Sequence, residues 1–103
     1  MDIAAPLGTP VYSPANGLVI FAGWQGGYGQ TIEIDNGVIN GKRISSLYGH
    51  LSSWVVSNNQ VVNKGEVIGY VGSTGVSTGS HLHFEVKENG KQVNPTIYIG
   101  NYG

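Results

Sequence analysis

Glycine punctuates this chain from end to end, seventeen times in 103 residues, and that spread decides what it can fold into. Each glycine in a helix interior costs about 1 kcal/mol relative to alanine, and no segment carries a helical apolar period. Short strands joined by tight turns tolerate such a distribution. The strand candidates are Thr9–Tyr12, Gly17–Trp24, Gln30–Asp35, Ser46–His50, Val67–Val71 and His81–Lys87. Turn signals separate them at Pro14–Gly17, Gly26–Gly29, Asp35–Gly37, Asn63–Gly65 and Asn89-Gly90. Asn36-Gly37 and Asn89-Gly90 are the best hairpin signals, because both positions tolerate positive φ. Longer loops are expected at Tyr12–Asn16, Val38–Ile44 and Val71–Ser80. Gly17–Gly23 and Gly65–Gly72 echo each other as buried-looking strands entered and left through glycine, which suits a twisted antiparallel sheet folded on itself. The expected fold class is all-β, a small twisted antiparallel sheet or β-sandwich, as a single domain over residues 1–103.

Composition narrows the partners. Charged residues make up 11% of the chain, against roughly 25% in ordinary globular proteins, so uncharged polar side chains supply the wetting. A formal net charge of -1 gives no electrostatic reason to expect nucleic acid or an anionic membrane as partner. Without cysteine, only histidine and carboxylate remain as metal donors. Absence of thiols also fits an extracytoplasmic or secreted life. No run approaches the ~20 apolar residues of a membrane span, and Met1–Pro6 shows no signal-peptide pattern.

The sharpest chemical signal is His81-Leu82-His83-Phe84-Glu85-Val86. Strand alternation puts His81, His83 and Glu85 on one face and Leu82, Phe84 and Val86 on the core face. The two imidazoles then stand about 7 Å apart along the strand. One can bind a metal while the other points at a substrate; a plain polar sheet face is the bland rival. His50, between Gly49 and Leu51, sits at an expected strand end, where functional groups gather. Alone it reads more readily as a half-exposed structural histidine than as a functional one. Asp2, expected to point outward before the turn at Pro6–Gly8, is able to reach such a site. Trp24, Tyr28, Tyr48 and Trp54 are groove liners or sheet-packing aromatics.

These residues stand in segments that resemble the lysostaphin/LytM-type (M23) zinc metallopeptidases. Asp2–Val11 resembles the segment holding the family's aspartate ligand, and Leu47–Ser52 resembles its tyrosine-x-histidine-leucine motif. Gly65–Gly75 looks like its glycine-rich strand and turn, Ser77–Val86 like the surroundings of its histidine-x-histidine signature, and Asn94-Pro95 like its ending. The likeness runs the length of the chain in the right order. It implies Asp2 and His83 as zinc ligands and His50 and His81 as the catalytic pair, with His81 favoured as base and His50 as stabiliser. Glu85 could orient an imidazole. The implied activity is endopeptidase hydrolysis of peptidoglycan stem or cross-bridge peptides, with Zn2+ as cofactor.

One departure matters. The family carries a further histidine ligand four residues before the aspartate, a position that would precede Met1. Two protein ligands, Asp2 and His83, are therefore expected, in a domain lacking its N-terminal strand. Three readings follow: an active domain trimmed at its start, a shortened copy that has lost zinc, or a makeshift site completed by His50, His81 or another chain. The second would serve as a cell-wall-binding, regulatory or structural module, for example phage-borne. A missing opening strand would also expose a sheet edge, so edge-mediated self-association is expected.

Overall fold

The computed structural model describes residues 2–75 and 79–95. Met1 and residues 76–78, the latter within the expected loop Val71–Ser80 and including Ser77 and Thr78 of the histidine-x-histidine region, lie outside the described residues. The described strands are β1 (Asp2–Ala4), β2 (Pro10–Tyr12), β3 (Gly17–Trp24), β4 (Gln30–Ile39), β5 (Lys42–Trp54), β6 (Val61–Val62), β7 (Val67–Val71), β8 (His81–Glu88) and β9 (Lys91–Val93). A 3-10 turn, Gly26–Tyr28, joins β3 to β4. Every strand pairing is antiparallel, within one sheet whose main path runs β1-β8-β5-β4-β3-β6. The all-β antiparallel expectation is met.

The long strand β5 organises the molecule. One edge pairs with β4, while the other is shared: Ile44–Gly49 run beside β8 and Leu51–Trp54 beside β7. β2 extends the sheet from β7, and β1 and β9 extend it from β8. The handover between β8 and β7 falls at His50.

Alternation assembles the core. Leu82, Phe84 and Val86 of β8 are buried, as are Ile32 and Ile34 of β4, Tyr48 and Leu51 of β5, and Ile68 and Val71 of β7. The rings of Tyr48 and Phe84 meet at 5.2 Å between centroids. Fully burying a side chain of this size stabilises the fold by about 1.5–3 kcal/mol.

Local signals failed at three places, the first of them for a tertiary reason. Asn36-Gly37 does not turn the chain. Gly37 adopts φ 82 at a register shift inside β4, where its N–H donates to Asp35 Oδ1 at 2.9 Å. Asn36 meanwhile donates to the Asn16 carbonyl and accepts from the Ser46 hydroxyl, both at 2.9 Å. The reversal occurs instead at Asn40-Gly41, with φ 53 and 77, so the loop expected at Val38–Ile44 is a hairpin joining β4 and β5. The echo between β3 and β7 holds for strand type only, since β3 buries Val19 and leaves Leu18 and Ile20 exposed. β1, β6 and β9 span two or three residues each, too short for a period to register. Asn89-Gly90 behaves as read, with φ 51 and 83 in the β8–β9 hairpin.

Candidate active site

The β1–β8 register sets Asp2 directly opposite His83 and Ala4 opposite His81. Cross-strand partners share a face, so the carboxylate of Asp2 joins the imidazole face of β8 across 81 residues of sequence. Asp2 Oδ1 lies 2.8 Å from His83 Nδ1 and 3.7 Å from His81 Nε2. When His83 carries a proton on Nδ1, its hydrogen bond is the main cause holding the Asp2 carboxyl below its ordinary pKa.

His50 arrives by a different route. Between Gln30 and Ile32 the β4–β5 register shifts, so that β5 carries an extra residue opposite β4. Within that bulge His50 takes φ 60, a left-handed backbone that costs a non-glycine residue of order 1–3 kcal/mol. Its ring is buried and lies 4.8 Å from His81 and 6.0 Å from His83, centroid to centroid. The three histidines therefore converge.

Hydrogen-bond partners assign the proton positions. His50 Nδ1 lies 2.6 Å from the Thr74 carbonyl and His81 Nδ1 lies 2.9 Å from the Gly79 carbonyl. A carbonyl only accepts, so both rings carry their proton on Nδ1 and, when neutral, present Nε2 as a proton acceptor. Thr74 is itself pinned, its hydroxyl donating to the Leu51 carbonyl at 2.6 Å and accepting the Gln30 N–H at 3.0 Å. Gly29 and Gly75 pass so close there that a Cβ on either would stand 2.5 Å from backbone of the other segment.

His83 is arranged the opposite way. Its Nε2 lies 2.7 Å from Glu85 Oε2, and the same oxygen accepts the Tyr28 hydroxyl at 2.5 Å. The Tyr28 ring stacks on the His83 imidazole at 5.1 Å with 23° between planes. Glu85 is 3% exposed. Burial pulls its pKa upward, but the hydrogen bonds from Tyr28 and His83, with the charges of His83 and Lys87, outweigh it and leave the carboxyl below its ordinary value. The contact with Glu85, then burial, raise the Tyr28 hydroxyl.

Both carboxylates touching His83 accept only, and a neutral imidazole has one proton to give. With that proton on Nε2 toward Glu85, the 2.8 Å contact between Nδ1 and Asp2 Oδ1 sets two lone pairs against each other. It is favourable only with a second proton or a cation between them. An imidazole nitrogen and a carboxylate oxygen are donors of the kind zinc takes, although catalytic zinc sites use three protein ligands. Among the described residues no third histidine, cysteine or acidic side chain joins the pair in a metal-holding group. The donors fit zinc in type, and they supply two positions of the three.

The sequence thus nominated Asp2, His50, His81 and His83, and the fold brings all four together. Tyr28 stands at the site, but Tyr48 is fully buried in the core, Trp54 packs partly against that core, and Trp24 lies exposed on β3. Sequence reasoning missed Thr74 and the Tyr28–Glu85 contact. The alternation that put Glu85 beside the histidines was a signal for the second; nothing local pointed to the first.

A profile of peptidase family M23 matches residues 1–95. The chain is 50% identical over 95 residues to the DD-carboxypeptidase/endopeptidase Mpg of Neisseria meningitidis serogroup B, covering 92% of this chain and 21% of that protein. It is 39% identical over 100 residues to the murein hydrolase activator EnvC of Escherichia coli, covering 97% of this chain and 23% of that protein. The fold superposes on the catalytic domain of the antimicrobial peptidase lysostaphin from Staphylococcus simulans with a TM-score of 0.88 and 32% identity, covering 97% of this chain and 77% of that one. The chain spans about a fifth of the length of the curated relatives first matched.

Proposed function

The chain belongs to peptidase family M23, and from that premise we propose that it is a metalloendopeptidase domain hydrolysing stem or cross-bridge peptides of peptidoglycan. The observation that carries this reading is the convergence of Asp2, His50, His81 and His83. Asp2 and His83 would hold zinc together with a third donor. The chemistry zinc supplies there is Lewis acidity toward water and toward the scissile carbonyl. His81, whose neutral Nε2 is an acceptor, takes the proton from the attacking water and returns it to the leaving amine. His50, once protonated on Nε2, donates to the oxygen that gains negative charge as the carbonyl is attacked. Its bond to Thr74 keeps the ring from turning away. No covalent intermediate on the protein is needed. The location that suits this substrate is extracytoplasmic, at the cell wall, within a longer parent protein.

The experiment is amine release. The chain, loaded with zinc, is incubated with purified peptidoglycan and with soluble cross-linked stem peptides, and new amino termini are labelled and counted. Release that a chelator stops and that His81→Ala abolishes is the expected result.

A second reading is a non-enzymatic wall-binding, regulatory or structural module. One observation favours it: a relative at 39% identity over 100 residues is a murein hydrolase activator. Co-sedimentation with peptidoglycan, without amine release at saturating zinc, would replace the first reading with this one. Self-association through an open sheet edge is proposed on the same footing, and a sharp monomer at high concentration would refute it.

A further inference from the structure

The geometry points to Tyr28 and Glu85 as positioning residues that fix which nitrogen of His83 faces Asp2. This deepens the proposed function and rests on it for its meaning, but its physical content concerns the protein alone. Glu85 is a buried carboxylate on the same strand face as His83, and its Oε2 receives two donors, His83 Nε2 at 2.7 Å and the Tyr28 hydroxyl at 2.5 Å. Both carboxylates only accept, but Asp2 is exposed and water can satisfy it, whereas Glu85 is buried, so the His83 proton is drawn to Nε2 and the Nδ1 lone pair is left toward Asp2. His50 and His81, tied through Nδ1 to backbone carbonyls, are fixed in the reverse tautomer. Three histidines within one cluster are thus held in two different proton arrangements, and Glu85 makes the difference.

Tyr28 acts on Glu85 and on the ring at once. It comes from the 3-10 turn Gly26–Tyr28, 57 residues away in sequence from Glu85. Its hydroxyl anchors the carboxylate while its ring lies flat on His83, leaving that imidazole little freedom to rotate about χ2. Gly49, directly opposite His83 in the β5–β8 ladder, borders this arrangement, and a Cβ there would stand in ordinary contact with the Tyr28 side chain at 3.4 Å. A polar group on a sheet face has no need of such an assembly; a ligand that must offer one particular nitrogen does.

The test reads the tautomer directly, without turnover. Long-range proton–nitrogen NMR on the metal-free full chain, at a pH where His83 is neutral, should show His83 protonated on Nε2 and His50 and His81 on Nδ1. Glu85→Ala should convert His83 alone to a mixture of tautomers, and should lower affinity for zinc, measured by competition with a chromogenic chelator, by about 10–100-fold. Glu85→Gln, whose amide oxygen still accepts, should restore the Nε2 proton. Should Glu85→Ala fail to fold, Tyr28→Phe serves in its place: it keeps the ring stack, removes the anchor, and should broaden His83 and speed exchange of its Nε2 proton. An unchanged His83 tautomer in Glu85→Ala, or in Tyr28→Phe unchanged line width and exchange, would overturn the inference. Wild-type chain that shows the expected tautomers but releases no amines would instead fail the peptidase reading and leave the positioning role intact.

Discussion

Thr74→Val is the perturbation that tests most of this architecture with least disturbance. The substitution keeps the branched shape and deletes one hydroxyl, which makes two hydrogen bonds: donation to the fully buried Leu51 carbonyl at 2.6 Å and acceptance of the Gln30 N–H at 3.0 Å. Each net hydrogen bond contributes about 0.5–1.5 kcal/mol, and leaving a buried partner unsatisfied costs about 1–3 kcal/mol. Gln30 is only half-buried and water can replace its lost acceptor. The total expected loss is therefore about 2 kcal/mol, dominated by the Leu51 side. In a domain of this size that lowers Tm by roughly 8–16 °C. Because the Thr74 carbonyl holds His50 Nδ1 at 2.6 Å, amine release should fall with stability, whereas Thr74→Ser, which keeps the hydroxyl, should retain most of both. Urea unfolding followed by tryptophan fluorescence gives the free energies, and the hydrolysis assay gives the second readout. Thr74→Val within 0.5 kcal/mol of wild type, the scatter expected of an inert surface change, would refute the idea that this hydroxyl ties the loop to β4 and β5.

Two further outcomes follow from the core and from charge. Phe84→Ala, removing a fully buried ring packed against Tyr48, should cost about 3–5 kcal/mol. Set against a total of roughly 5–15 kcal/mol, that should leave a chain unfolded at low urea, while Phe84→Leu stays folded; thermal melts distinguish them. Glu85 has its folded pKa depressed below the ordinary 4.5, so its ionised form contributes stability that is fully present above pH 4.5 and is lost as pH falls through the folded value. Glu85→Gln should therefore be less stable than wild type at neutral pH and should flatten the acid limb of a stability-against-pH curve; an unaltered acid limb would mean that other carboxylates govern it.

Glycine spacing and period-two alternation determined, without any coordinates, that the chain is all-β, that Leu82, Phe84 and Val86 face a core, and that His81, His83 and Glu85 share the other side. Those properties are local: a backbone conformation and a strand pleat are settled within a few residues. Motif likeness added Asp2 and His50 to the same site. The rest needed tertiary structure, because it depends on which segments meet. Asn36-Gly37 and Asn40-Gly41 offer the same dipeptide to the backbone, and only the pairing of β4 with β5 makes the first a bulge and the second a turn. The left-handed backbone of His50 falls in the bulge against β4, at the residue where β5 changes neighbour from β8 to β7. Thr74 and Tyr28 reach their partners across 23 to 57 residues of chain. Sequence decides which side chains can exchange protons or hold a metal; the contacts that folding gives the three imidazoles, with Thr74, Gly79 and Glu85, decide which nitrogen of each carries the proton.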